Sequence, residues 1–154
     1  MKVEYLNPFV EGVDHVFQTM LKIKPERKGV KLSDPTKPNG ERITALIGIS
    51  GQVGGVVALR FPPATALALA SRFLGMKAET VDDMVIDSVS ELVNMVAGQA
   101  KARFEHDPPL RLGLPTVVQG ADYRVSYPAK SVWLEVPYGS EAGEFTMEVT
   151  YSAN

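Results

Sequence analysis

Between Val85 and Phe104 the apolar residues return every three or four positions. Val85, Ile86, Val89, Leu92, Val93, Val96, Ala100 and Phe104 fall on one side of a helix that turns about 100° per residue. The polar positions of the same run keep their own register. Asp87, Glu91, Asn94, Gly98 and Lys101 lie within roughly 80° of one another on the opposite side. The pattern predicts a long, half-buried helix from about Val81 to Glu105 with one polar stripe turned away from the core. Thr80 followed by Asp83 resembles a capping Thr answered by an acid three residues on.

The flanking segments fill in the architecture. Phe9, Val10, Val13, Val16, Phe17, Met20 and Leu21 repeat at helical spacing behind Asn7-Pro8, read as cap and first helical residue, so a first helix runs to about Lys22. Strand-like alternation follows near Lys28 to Leu32, Ile43 to Ser50 and Val53 to Phe61, and Pro62-Pro63 stops it. ATALALASRFLG makes a short Ala-rich helix closed by Gly75. After the long helix, Pro108-Pro109 ends the helical pattern. Further strands are expected at Thr116 to Gln119, reaching toward Ser126, at Ser131 to Val136 and at Glu144 to Tyr151. The closing strand alternates Phe145, Met147, Val149 and Tyr151 without a Pro to blunt it, which reads as a sheet edge able to pair with a second copy. Three helices, one of them long and central, with an antiparallel sheet specify an α+β fold, as a single domain over residues 1–154. Sliding the chain by 80 positions lays Asn7, Glu11 and Asp14 over Asp87, Glu91 and Asn94, and GGVVALRFPP opposite LEVPYGS. A pseudo-twofold internal repeat is therefore expected, its first copy carrying a carboxylate where the second has an amide.

Composition narrows the function. The 154 residues carry a formal net charge of −2, no Cys and two His, with 45% hydrophobic positions, which suits one domain with a real core. Disulfides are excluded, and a metal held by this chain is not expected, because His15 and His106 are far apart and no His-x-x-x-His pair exists. No dense Lys/Arg cluster marks a nucleic-acid surface; KIKPERKGVK reads as a solvated turn. The N-terminus lacks the apolar run of a secretory signal, and Arg60 and Pro62-Pro63 interrupt the longest apolar region, so no membrane span and a cytoplasmic location are expected. GISGQVGG lacks the Gly-Lys-Ser/Thr ending of a phosphate-binding loop and sits between two strands, where a tight turn accounts for it. Ser88 and Ser90 have no base nearby in sequence and read as surface serines. Trp133 reads as a packing or interface residue.

A solvated face is the ordinary reading of the Asp87-Glu91-Asn94 stripe, but two of its members argue against it. Asn is a mediocre helix former in mid-helix, and Gly98 costs about 1 kcal/mol relative to Ala, with close approach by another molecule as its evident return. Met84 and Met95 border the stripe on one side, and adaptable thioethers suit a docking surface.

Asp-x-x-x-Glu-x-x-Asn in a long helix resembles the motif of the CheC/CheX/FliY phosphatases, which dephosphorylate the response regulator CheY in bacterial chemotaxis. The single full motif, the chain length, the strand pair ITALIGISGQVGGVVALRF and the later LGLPTVV resemble the CheX branch in particular, over about Pro8 to Tyr151. One departure is that Pro115 follows Asn94 after 20 intervening residues, slightly closer than the family spacing. The resemblance implies that Asn94 positions the attacking water and Glu91 binds the regulator's active-site Lys, with Asp87, Gly98 and Lys101 as partner contacts. It implies no cofactor on this chain, a Mg²⁺ carried by the phosphorylated regulator, and a homodimer. An amide fits such a task because it donates and accepts at once, and the spacing of three puts Glu91 and Asn94 on adjacent turns of one face. Two alternatives stay open: a noncatalytic module that binds a regulator or chemotaxis partner through the same face, and a thioester enzyme with a sheet wrapped around one helix, which would need a buried carboxylate.

Overall fold

In the computed structural model, the residues described are 3–33, 40–51, 53–104, 110–121, 123 and 132–153. A 3-10 turn, Val3–Leu6, feeds directly into α1, Asn7–Met20. The cap position therefore falls on Leu6, whose backbone is already helical, and Asn7 is the first helical residue and makes no capping bond. Two short strands follow, β1 at Glu26–Arg27 and β2 at Lys31–Leu32, where the sequence suggested one. The long hairpin of β3, Arg42–Ser50, and β4, Val53–Phe61, lies where the alternation placed it. Gly51 sits in its turn with φ 132°, a conformation open to glycine. Pro62-Pro63 starts α2, Pro63–Leu74, and Gly75 closes it in the left-handed conformation (φ 69°). The long helix α3 spans Asp83–Arg103.

After α3, the two-residue strand β5, Arg111–Leu112, escaped the sequence reading because it is too short for alternation to register. Next come β6, Thr116–Gly120; β7, Leu134–Gly139; and β8, Phe145–Ala153. The expected extension of β6 toward Ser126, the start of the following strand at Ser131, and Glu105 at the end of the long helix lie outside the described residues.

Among the described residues the strands form one sheet in the order β1-β7-β8-β4-β3-β5, with β2 also on β7 and β6 also on β3, every pairing antiparallel. The expectation that the closing strand is an edge is thereby corrected. β8 lies inside the sheet, hydrogen-bonded to β4 from Val53↔Ala153 to Arg60↔Thr146 and to β7 from Leu134↔Val149 to Tyr138↔Phe145. Its lack of Pro serves the ladders on both sides. The segments overlaid in sequence, GGVVALRFPP and LEVPYGS, fall on β4 and β7, each of which pairs with β8.

The period of two decides what each face does. Ile43, Ala45 and Ile47 on β3, Val57, Leu59 and Phe61 on β4, Val136 and Tyr138 on β7, and Phe145, Met147 and Val149 on β8 share one face and are buried. All three helices cover that face. Phe17 of α1 stacks on Phe145 with centroids 4.7 Å apart, and Phe145 stacks on Tyr138 at 4.9 Å. The other face pairs its charges across strands: Arg60 bonds Glu148 at 2.5 Å and lies 3.7 Å from Glu135, which accepts from Ser33. Burial pushes the Glu148 carboxyl above its ordinary range, with the adjacent Arg60 opposing the shift.

α1 and α3 run antiparallel and close together. Phe9 meets Phe104 edge-on at 5.7 Å, and Gly12 faces the α3 backbone so tightly that a Cβ there would lie 2.8 Å from the Val96 carbonyl oxygen. Gly12→Ala gains helix propensity of about 1 kcal/mol but forces apart two backbones, an overpacking cost of about 1–3 kcal/mol. The expected result is a net loss of stability, seen as a lower urea midpoint with an unchanged slope; a raised midpoint would contradict the close contact.

Candidate functional site

The start of α3 is set by Asp82, not by Thr80. Asp82 is extended (φ −105°, ψ −174°), and its carboxylate accepts from the Val85 backbone N–H at 3.1 Å, ahead of an acid, Asp83, in the first turn. Lys101 and Arg103 occupy the last turn, where the helix dipole favours cations. Between these ends Val85, Val89, Leu92, Val93, Val96 and Ala100 are fully buried. The helix is thus clamped along one side, against α1, α2 and strands of the sheet.

The opposite side is the stripe that the sequence singled out. Asp87, Glu91 and Lys101 are exposed, and Asn94 and Gly98 are half-buried. The structure brings all five onto one face of one rigid element. Among the described residues the side chains of Asp87, Glu91 and Asn94 have no hydrogen bond or ion pair. A carboxylate and an amide stand one turn apart, the first exposed and the second half-buried, while the residues beneath them are immobilised by packing. Met84 is 48% exposed at the stripe's N-terminal end, and Met95 is half-buried against the core.

Other positions resolve differently from their sequence reading. Ser88 is buried and donates to the Met84 carbonyl at 2.8 Å, so it is a helix-interior serine bonded to the preceding turn, not a surface one. Trp133 is half-buried, and its carbonyl accepts from the Ser33 N–H. Pro115 is half-buried immediately before β6, next to an 88% exposed Leu114. His106 lies outside the described residues, and among those described no group of three or more His, Cys, Asp or Glu is placed to hold a metal ion. No helix among them is long and apolar enough to cross a membrane.

The first helix carries the comparable triplet in a different condition. Asn7 is exposed, but Glu11 is paired with Arg103 of α3 at 3.1 Å, and Arg103 is itself held by Gln99 at 2.7 Å. Sequence reasoning passed over Arg103; its i, i+4 relation to Gln99 was the available signal. Asp14 is half-buried beside Arg27 and Lys24, with its carboxyl pushed above the usual range chiefly by burial. The neighbouring Tyr138 hydroxyl, raised by burial and by the Asp14 charge, is buried without a hydrogen-bond partner among the described residues. Of the three polar groups on α1, Glu11 is therefore held in an ion pair, and Asp14 lies half-buried without a hydrogen bond or ion pair among the described residues.

Comparison with known proteins shows the family and the fold. Residues 43–138, more than half of the chain, match the family described as chemotaxis phosphatase CheX. A CheY-P phosphatase CheX from Thermotoga maritima is 28% identical over 128 residues, covering 81% of each chain. Among solved structures, a CheC-like superfamily protein from a Shewanella species superposes with a TM-score of 0.86 at 28% identity, covering 99% of this chain and 100% of the other. The CheX of a CheX–CheY–BeF3–Mg²⁺ complex from Borrelia burgdorferi shares the fold at 21% identity, with a TM-score of 0.81 over 97% and 99% of the two chains. With its helices on one face of an antiparallel sheet and Asp-x-x-x-Glu-x-x-Asn on the less buried side of α3, this chain belongs to the chemotaxis phosphatase CheX family.

Proposed function

We propose that this protein hydrolyses the aspartyl phosphate of a CheY-like response regulator by inserting the α3 stripe into the regulator's phosphorylated site. The observation that carries the reading is that Glu91, exposed, and Asn94, half-buried, are unengaged among the described residues on a helix whose other side is fully packed. A phosphorylated regulator brings its own Mg²⁺ and Lys to the phosphoryl group, so stabilisation of the transition state is already present in the substrate. What it lacks is an aimed water. The Asn94 amide can accept from that water while donating to the phosphoryl side, a positioning effect that needs no acid or base on this chain. Glu91, one turn earlier, pairs with the regulator's Lys and fixes the register, and Asp87, Gly98 and Lys101 complete the contact. No cofactor on this chain enters the scheme. A cytoplasmic location accords with such a partner.

The alternative from another class, a noncatalytic binding module, uses the same face and is separated by rate. The thioester-enzyme reading loses its basis because Glu91 is exposed. Homodimerisation is part of the proposal, with the pairing edge moved from β8 to an outer strand, of which β6 is the longest. The pseudo-twofold repeat is retained as an inference: the two long hairpins meet at β4 and β8, and each is flanked by short strands from the other half of the chain, an arrangement that supports it.

Asn94→Ala should lengthen the phosphoryl half-life of a labelled regulator on the order of 10²-fold relative to wild type while binding persists. Glu91→Ala should weaken the complex as well, because truncating one member of a desolvated charge pair costs about 2–5 kcal/mol. Wild type that binds a regulator in its phosphoryl-mimic form yet leaves the half-life unchanged would replace the phosphatase with the binding module. Asp14→Ala should keep turnover within about a factor of two, or less than about 0.5 kcal/mol in barrier; a tenfold loss in folded protein would make α1 a working site. Light scattering should give twice the 16.7 kDa chain mass, and a monomer throughout the micromolar range would remove the dimer.

A further inference from the structure

α1 and α3 each contain one glycine, and the two have opposite surroundings. Gly12 is kept by the fold, since a Cβ there would strike the Val96 carbonyl. Gly98 lies well inside α3, with no left-handed backbone to require it, and a Cβ built on it meets nothing within 4 Å. Nothing within the described molecule accounts for Gly98, and glycine in mid-helix is among the poorest helix formers.

Gly98 follows Asn94 by four residues, about 6 Å further along the same stripe, and Ala102, exposed, follows it by another turn. The helix surface is therefore tall at Asp87 and Glu91 and low immediately beyond Asn94. Resting on the reading above, we infer that Gly98 sets how deeply Asn94 enters the regulator: the partner's main chain seats on the bare helix backbone at Gly98, which brings the amide within reach of the phosphoryl group. A methyl group at this position raises the seat by about 1.5 Å. A displacement on that scale is enough to reduce a positioned reaction by about 10²-fold. Gly98 is a positioning residue in this account, acting through Asn94.

The test is a series of Gly98, Gly98→Ala and Gly98→Leu in the full-length chain, in which each replacement is a better helix former than glycine. Melting temperature is measured beside two functional quantities: the dephosphorylation rate of a CheY-type regulator labelled from a small acyl phosphate, at saturating protein, and affinity for the same regulator carrying beryllium trifluoride. Gly98→Ala is expected to raise the melting temperature by about 2–4 °C and to lower the saturated rate at least about tenfold, with affinity changed less than the rate. Gly98→Leu should lower both functional quantities further. A Gly98→Ala rate equal to wild type, or a Gly98→Ala melting temperature below wild type, overturns the inference while leaving the phosphatase reading in place. Wild type that binds the mimic without shortening the phosphoryl half-life overturns both.

Discussion

The burial of one side of α3 is the constraint on which the molecule is organised. Val85, Val89, Leu92, Val93, Val96 and Ala100 remove a continuous apolar strip from water, each large side chain contributing about 1.5–3 kcal/mol of transfer free energy. That strip fixes the rotation of the helix about its own axis. Because rotation is fixed from below, Glu91 and Asn94 need no hydrogen bonds of their own to hold their direction, and their polar groups stay available. The same contact explains Gly12, the near touch of α1 on α3, and the Glu11–Arg103 pair that closes over it. The core contact and the proposed working surface lie on opposite sides of a single helix.

The sheet makes this possible by presenting an unbroken apolar face. Alternation along β3, β4, β7 and β8 sends Ile47, Leu59, Val136 and Met147 toward the helices and sends Thr44, Arg60, Glu135 and Glu148 to the other side. Charges that would be costly alone are paired there across strands. α1 carries a polar triplet of its own, Asn7, Glu11 and Asp14. Glu11 is ion-paired with Arg103 of α3, and burial raises the Asp14 carboxyl above its usual range, so the polar groups of α1 differ in condition from those of α3.

Much of this was legible in the residues themselves. The long helix, its buried side and the outward stripe follow from a period of 3.6 sustained over twenty residues, and the β3–β4 hairpin from strict alternation. What was misread shares a cause, which is that the deciding information lay elsewhere in the chain. Phe145 to Tyr151 looks like an edge strand because alternation reports which face a residue takes, not how many neighbours a strand has; only the pairing with β4 and β7 places it inside. Ser88 looks exposed because it neighbours Asp87, yet it lies on the buried side of the helix. Asp82 took the cap from Thr80 through a two-residue shift that local pattern does not resolve. The five stripe residues share a face as expected because a half-buried helix writes its less buried side into the sequence.

The central claim is that the outward side of α3 is the working surface and that α1 has been taken over by the fold. Backbone amide shifts and hydrogen exchange, recorded on this protein with and without a beryllium trifluoride-activated CheY-type regulator, test it directly. The account predicts perturbation and protection concentrated between Asp87 and Lys101, with Asn7 to Gln18 unaffected. Perturbation centred on α1, or none on α3 in the presence of a regulator that binds, would contradict it.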